Sequence, residues 1–346
     1  MVDPYVFVRP LLHRLDPETA HEWTLRALEA GLVPPQPAGD DPVLGVELFG
    51  RRLSNPIGLA AGFDKNARVF GRMYRHGFSF VEVGGVTPLP QAGNPRPRVF
   101  RLPEDRGVIN RMGFPNDGAQ TVERRIRAGT ASGMLGINLA TGAQCADPVE
   151  DFVDLVGRFN GLADYLTLDI SCPNTENGQV FLQPERLREL LVRLRAVPFA
   201  AQRPRLLAKL SPDVDAARVE ALVGVLLDAN IDGIIVSNTT SERPELRART
   251  RDERGGLSGQ PLFRASTALL AHVAHITGGR IPLVGVGGVT SGADAYAKIR
   301  AGASAVQIYT SLIYAGTALV TRIKRDLAAL LQRDGFASVA AAVGIP

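Results

Sequence analysis

What most limits the fold of this chain is a rhythm: eight short apolar runs, each bounded by turn residues, alternate with longer segments of helical periodicity. The runs are Ile57–Ala60, Phe80–Val83, Leu135–Leu139, Tyr165–Ile170, Leu206–Leu210, Gly233–Val236, Pro282–Gly285 and Ala305–Ile308. Glu185–Val197, Ala216–Ala229, Leu262–Ile276 and Ser311–Leu331 carry the helical spacing expected between them. Strands that alternate with helices make parallel sheets, and a set of this size closes into an α/β fold of the (β/α)8 TIM barrel type. A doubly wound sheet is the competing architecture, but no Gly-x-Gly-x-x-Gly follows the first run.

A barrel needs about 250 residues. The chain has 346, of which 45% are apolar, so it can bury a full core and still carry additions. The sequence divides into an N-terminal helical extension over 1–40 and a barrel over 41–346. In the extension Tyr5, Phe7, Val8, Leu11, Leu12 and Leu15 form one apolar stretch. Asp16-Pro17-Glu18 then offers a cap and a first-turn proline to a second helix. That helix places Ala20, Trp23, Thr24, Ala27 and Leu28 on one stripe and is expected to end at Gly31, before Pro34-Pro35. Neither piece reaches the ~18 apolar residues that span a bilayer. Two readings fit: a helical pair capping the barrel, or an amphipathic hairpin lying on a membrane surface. Cys145 and Cys172 cannot build a disulfide framework and no signal-peptide pattern opens the chain, so a cytoplasmic location is expected. A formal charge of +4, without a basic cluster interleaved with aromatics, gives nucleic-acid binding no support, and no metal site is expected.

Barrels keep their chemistry at the C-terminal tips of the strands. Tyr165–Ile170 runs into Ser171-Cys172-Pro173-Asn174, a sharp corner that throws a thiol and a carboxamide off such a tip. Lysine usage adds a second clue: four lysines, Lys65, Lys209, Lys298 and Lys324, stand against thirty-five arginines. Lys65 and Lys209 sit just beyond the first and fifth runs, where a compact ammonium can face a ring edge or a carboxylate. The seventh run leads into Gly285-Val286-Gly287-Gly288 with Ser291-Gly292 opening a helix, and the eighth ends in Tyr309-Thr310-Ser311. Glycines let backbone N–H groups approach an anion, and these two loops are where barrels usually grip a phosphate. Asn110, Asn138, Asn174 and Asn238-Thr239-Thr240 lie at run ends or between the second and third runs. Several carboxamides converging on one mouth suit a flat, polar, amide-bearing ligand.

Longer stretches carry a resemblance. Leu15-Asp16-Pro17-Glu18-x-Ala20-His21, the segment from Asn55-Pro56 through Gly62-Phe63-Asp64-Lys65, and Asn110-Arg111-Met112-Gly113-Phe114 all resemble dihydroorotate dehydrogenases, specifically the membrane-associated, quinone-reducing class. So do Ser237-Asn238-Thr239-Thr240, Gly255-Gly256-Leu257-Ser258-Gly259 and Val306-Gln307-Ile308-Tyr309. The likeness covers nearly the whole chain. It implies FMN at the barrel mouth, with the phosphate on Gly259, Gly288, Tyr309 and Thr310. The flavin ring would run along Ala61, Gly62, Gly85 and Asn138, with Asp169, Lys209 and Ser237 also on the cofactor. Substrate would lie between the flavin and Cys172, held by Lys65, Asn110, Arg111, Met112, Gly113, Phe114, Asp169, Asn174, Asn238 and Thr239. In family chemistry a base takes a proton from one ring carbon of dihydroorotate while hydride leaves the neighbouring carbon for the flavin. Cys172 occupies the position of that base.

The chain also departs from the family pattern. The quinone-linked class carries Ser where Cys172 stands, although a thiol, with an ordinary pKa of ~8.5, is the better base near neutrality. Asp169 replaces an Asn, Gly85 a Thr, and Ala140-Thr141-Gly142 a Gly-Lys-Asn, while the loop Thr175–Phe181 lacks the usual Pro-Gly. The leading expectation is oxidation of dihydroorotate to orotate with quinone as acceptor, on the inner face of the cell membrane. Two alternatives are a paralogue acting on another small ring or amide substrate, and a flavin-binding partner protein without turnover.

Overall fold

The computed structural model describes residues 5–37, 39–143, 145–171, 179–198 and 203–345. Cys172 and Asn174 lie outside the described residues. The chain opens with α1 (Tyr5–Arg14) and α2 (Pro17–Glu29). Asp16 caps α2, its Oδ1 accepting from the N–H groups of Glu18 and Thr19 at 3.0 and 3.1 Å. Pro17, the first helical residue, would have had no intrahelical partner for an N–H. A two-stranded antiparallel hairpin follows, β1 (Val46–Leu48) with β2 (Arg51–Leu53).

The remaining strands are β3 (Ile57–Leu59), β4 (Phe80–Val86), β5 (Val99–Leu102), β6 (Gly107–Asn110), β7 (Met134–Leu139), β8 (Tyr165–Asp169), β9 (Arg205–Leu210), β10 (Gly233–Val236), β11 (Gly256–Gly259), β12 (Leu283–Val286) and β13 (Ala305–Ile308). Each of the eight apolar runs becomes one strand of a closed parallel barrel, in the order β3-β4-β7-β8-β9-β10-β12-β13. The α/β barrel expected from the rhythm is therefore what forms. The strands left over, β5, β6 and β11, pair as an antiparallel sheet built from the connections after the second and sixth barrel strands. Asn110, expected in a loop, ends β6 of that sheet and pairs across it with Gly256.

Helices α3 (Phe70–Met73), α4 (Ala119–Ala128), α5 (Pro148–Phe159), α6 (Pro184–Arg195), α7 (Ala216–Asp228), α8 (Phe263–Thr277) and α9 (Gly292–Arg300) lie between the strands, and α10 (Thr310–Ala315), α11 (Ala318–Arg333) and α12 (Val339–Ala342) close the chain. The single helix expected over Ser311–Leu331 is in fact two, α10 and α11. Gly316, at φ +65°, ends the first, and a Cβ there would lie 2.6 Å from the Tyr5 ring. A left-handed glycine thus stops the helix where α1 must dock.

Along each barrel strand alternate side chains face the interior and the surrounding helices. Phe80, Met134, Tyr165, Leu207, Ile235, Val284 and Ala305 fill the N-terminal end of the interior together with Val46, Leu48 and Leu53 of the hairpin, which plugs that end. Further along the same strand faces the interior turns polar: Glu82, Asn138, Thr167, Lys209, Ser237 and Gln307 are all buried.

The extension is held differently. None of α1 is buried, while α2 buries Ala20, Leu25 and Leu28. Tyr5 donates to the Ile313 carbonyl at 2.7 Å, and Arg101 donates to the carbonyls of Leu15 and His13 at 2.9 and 3.2 Å, satisfying the helix end. Val6, Phe7, Val8 and Leu11 of α1 and Trp23 of α2 remain exposed. Among the described residues no helix is long and apolar enough to cross a membrane.

Candidate active site

The polar half of the interior is a connected network. Glu82, from β4, accepts from Asn138 Nδ2 at 3.1 Å, the Tyr165 hydroxyl at 3.1 Å and Gln307 Nε2 at 2.9 Å. Four strands far apart in sequence thus meet on one carboxylate. Because Glu82 takes the donor end of the Asn138 amide, the acceptor end must face away from it. That atom, Asn138 Oδ1, is buried and has no donor among the described residues. A Cβ on Gly85 would stand 3.1 Å from it and 2.8 Å from the Phe114 ring. Gly85 therefore leaves room for Phe114 and leaves the amide oxygen without the hydroxyl that a Thr would bring. A buried polar atom without a partner calls for a ligand donor.

Lys209 is not beyond its strand, as the sequence suggested, but inside β9, paired in register with Asp169 of β8. Period-two alternation turns both side chains toward the mouth. Asp169 Oδ1 accepts from Asn238 Nδ2 at 3.0 Å. Burial pushes the Asp169 carboxyl upward; Lys209 opposes the rise and Glu82 adds to it. Asn238 is itself fixed, its Oδ1 accepting from the Thr239 N–H at 2.8 Å. Ser237 is buried and donates to the Asn238 carbonyl at 2.9 Å.

Three turns converge at the next sector of the rim. Gly259 has φ +90°, and a Cβ there would lie 3.0 Å from Thr310 Cγ2. Gly287 and Gly288 have φ +104° and +76°, and a Cβ on Gly288 would be 2.5 Å from Phe263. Glycine is needed because this backbone conformation and this close packing both exclude a side chain. Thr310 donates to the Ser258 hydroxyl at 2.9 Å, joining two of the turns. Tyr309 stacks edge-on against Phe63 at 5.6 Å, so its ring faces the extension and its backbone is what borders the turns.

On the adjoining sector of the rim, where β3 pairs with β13, Lys65 donates to the Gly62 carbonyl at 2.6 Å, and burial lowers its ammonium to about pKa 8. Ala61 and Gly62 lead into it directly from β3. His21 of α2 packs edge-on to Phe63 at 5.4 Å and is lowered to about 3 by burial and by the nearby Lys65. Asn110 approaches the Gly256 carbonyl at 3.5 Å. The Arg111 guanidinium turns outward to Glu253 at 2.9 Å and the Pro97 carbonyl at 3.1 Å, so its backbone is what borders the mouth. Gln91 binds the Gly113 carbonyl at 2.9 Å and Asn94 donates from its N–H to that of Met112 at 2.9 Å, which fixes the turn carrying Phe114. Of the residues expected at the site, those of the flavin frame, Lys65, Asp169 and the Asn238 pair come to one mouth, while Cys172 and Asn174 lie outside the described residues. Glu82 and Gln307 were missed as site residues. Their signal was a charge and an amide inside otherwise apolar strand runs.

Comparison with known proteins gives consistent results. Residues 43–331 match the family model described as dihydroorotate dehydrogenase. The "Dihydroorotate dehydrogenase (quinone)" of Rhodospirillum rubrum is 49% identical over 99% of this chain and 95% of that protein. The "Dihydroorotate dehydrogenase (quinone), mitochondrial" of Mus musculus is 45% identical over 98% of this chain and 89% of its own length. A crystal structure of ligand-free type DHODH from Eimeria tenella superposes with a TM-score of 0.92 at 37% identity, covering 95% of this chain and 99% of that one.

Proposed function

The chain belongs to the dihydroorotate dehydrogenase family, and on that premise we propose that it oxidises dihydroorotate to orotate in pyrimidine biosynthesis, using FMN and passing the electrons to a quinone. The observation that carries the reading is the buried, unpartnered Asn138 Oδ1 in the same barrel end as the glycine turns. That end offers what FMN requires: an acceptor for a ring N–H, a lysine at a ring edge, and glycine N–H groups for a phosphate. When bound, the flavin supplies the two-electron acceptor for hydride.

The chain's own residues would do the rest. Gly259, Gly288, Tyr309 and Thr310 hold the phosphate through backbone and hydroxyl groups; Ala61, Gly62, Gly85, Asn138 and Ser237 border the ring. Lys209 places its ammonium where negative charge gathers on the ring as it is reduced. Lys65, Asn110 and its turn, Asn174, Asn238 and Thr239 orient the substrate, Lys65 by pairing with its carboxylate. Cys172 takes the proton from the ring carbon, a task for which a thiol of ordinary pKa ~8.5 serves near neutrality. Asp169, its carboxyl pushed upward by burial, would border the substrate where the family pattern has an amide.

Anaerobic mixing with dihydroorotate, followed by flavin absorbance, tests the reaction apart from its acceptor: bleaching is expected, and an unchanged spectrum at every pH would overturn the substrate. The quinone assignment draws on the exposed Val6, Phe7, Val8, Leu11 and Trp23, an apolar face suited to the surface of a membrane that dissolves quinones. Deleting residues 1–36 should abolish quinone reduction and vesicle binding while leaving anaerobic bleaching intact. Full quinone turnover by the truncated enzyme would make the extension a structural cap. Asp169 and Cys172 are the observations that favour the second reading, a paralogue with a differently charged small substrate.

A further inference from the structure

Of the four lysines in this arginine-rich chain, Lys65 and Lys209 belong to the mouth, and Lys324 is closed into an ion pair with Asp40 at 2.5 Å. Lys298, on α9, is 0% exposed and, among the described residues, forms no ion pair. Its Nζ donates to the Ser266 hydroxyl at 2.6 Å and stands 5.3 Å from the centre of the Phe263 ring. The Ser266 hydroxyl in turn lies 3.1 Å from the Gly287 carbonyl and 3.2 Å from that of Phe263. An ammonium sealed among apolar groups with one hydroxyl for company is unfavourable unless its charge is used.

We propose that Lys298 is a positioning residue for the cofactor phosphate: acting through Ser266 it fixes the Gly287–Gly288 peptide, and its charge meets the phosphate from behind that turn. The inference rests on the FMN reading and deepens it. The carbonyl of Gly287 and the N–H of Gly288 belong to one trans peptide and point in opposite directions. Holding the carbonyl against Ser266 therefore aims the N–H away from α8. A nearby cation also polarises that peptide and strengthens its N–H as a donor. The glycines make the contact close, since a Cβ on Gly287 would lie 2.8 Å from Ser266 Oγ.

The charge is poised to respond. Burial draws the Lys298 ammonium down to about pKa 7, and Asp294, on the same helix, works against that fall. The Asp294 carboxylate is held by the Thr290 N–H and hydroxyl at 2.8 and 2.7 Å. From α8 the groups facing Lys298 are the uncharged Ser266 and Phe263, and β12 offers the Cα of Gly285. α11, on the far side of α9, brings Asp326 against Gly292 rather than against Lys298. A phosphate on the turn favours the protonated lysine. Affinity for FMN should then be full below pH ~7 and fall as the pH rises, by up to about tenfold per unit. The second ionisation of the phosphate, near pH ~6, acts with the opposite sign.

Apoprotein is titrated with FMN by quenching of flavin fluorescence from about pH 6 to about pH 9, beside Lys298→Met and Ser266→Ala, with circular dichroism to establish folding. The parent should lose affinity above neutrality. Lys298→Met should bind roughly tenfold more weakly at the acid end and lose the decline, one unit of coupled pKa shift being a factor of ten. Ser266→Ala should bind more weakly at every pH yet keep the decline, because the ammonium remains; this variant decides the matter if the methionine variant does not fold. Riboflavin, which lacks the phosphate, should show no decline that depends on Lys298. Parent-like affinity and pH profile in both variants would overturn the proposal and leave the cofactor reading standing. Failure of the parent to bind FMN at any pH would overturn both.

Discussion

The two ends of the barrel interior are built from the same strands and obey opposite rules. At the N-terminal end Phe80, Met134, Tyr165, Leu207 and Ile235 pack with the hairpin residues Val46, Leu48 and Leu53, and the Phe49 ring lies 5.4 Å from that of Tyr165. Two to four residues onward the interior holds Glu82, Asn138, Thr167, Asp169, Lys209 and Gln307, with acceptors left over on Asn138 and Gln307. The first end is satisfied by dispersion and burial and needs nothing else. The second leaves acceptors without a donor among the described residues. Tyr165 joins them, its ring in the apolar cluster and its hydroxyl on Glu82. Stability and chemistry are thus separated along one strand by about two residues, some 7 Å.

Substitutions at the two ends should fail in different ways, the largest effect coming first. Phe80→Ala empties a fully buried ring site and should cost about 3–5 kcal/mol in denaturant unfolding, with the FMN content of the folded fraction unchanged. Loss of flavin at unchanged stability would show that the ends are coupled. Cys172→Ala should leave stability alone and slow anaerobic flavin bleaching by at least ~10²-fold, the scale of a missing general base. Equal rates for variant and parent would remove Cys172 from the chemistry.

Two titrations sharpen the contrast. Lys65, lowered by burial to about 8, carries its charge below that pH and loses it above. Substrate affinity should accordingly be full below pH 8 and fall by about tenfold per unit beyond it, until the pKa raised by the bound carboxylate is reached. Flat affinity through that range would mean the carboxylate sits elsewhere. Asp169 gives the smallest effect. Its carboxyl is raised by burial, so a repulsive anion appears only as the pH climbs through that raised value. Asp169→Asn should remove the part of the decline due to that anion, gaining about 0.5–1 kcal/mol in substrate binding there, while the part due to Lys65 persists. A variant that binds dihydroorotate more weakly at every pH would instead make Asp169 an ionised partner of a cationic group.

Much of this organisation can be read from local sequence. The eight runs gave the barrel strands, because an alternating or continuous apolar run between turn residues has few other uses in a chain of this length. The small sheet of β5, β6 and β11 escaped notice, since its strands are four residues long and β11 joins β6 only across a long sequence separation, with Gly256 opposite Asn110. Gly316 was visible as a residue but not as the break between α10 and α11, which its contact with Tyr5 explains.

What the sequence settled by itself was the repeat of strand and helix, the glycine turn and the helix start after the last two strands, the capped helical extension, and the residue types gathered at the strand tips. These are local: a period, a turn or a cap is written within a few residues. Only the closed barrel decided that Glu82, Asn138, Tyr165 and Gln307 share one network. It also placed Lys209 inside the mouth opposite Asp169, and Lys298 beneath the turn at Gly287. Those contacts join segments up to 225 residues apart. Their geometry follows from register and ring closure, which no local window of sequence contains.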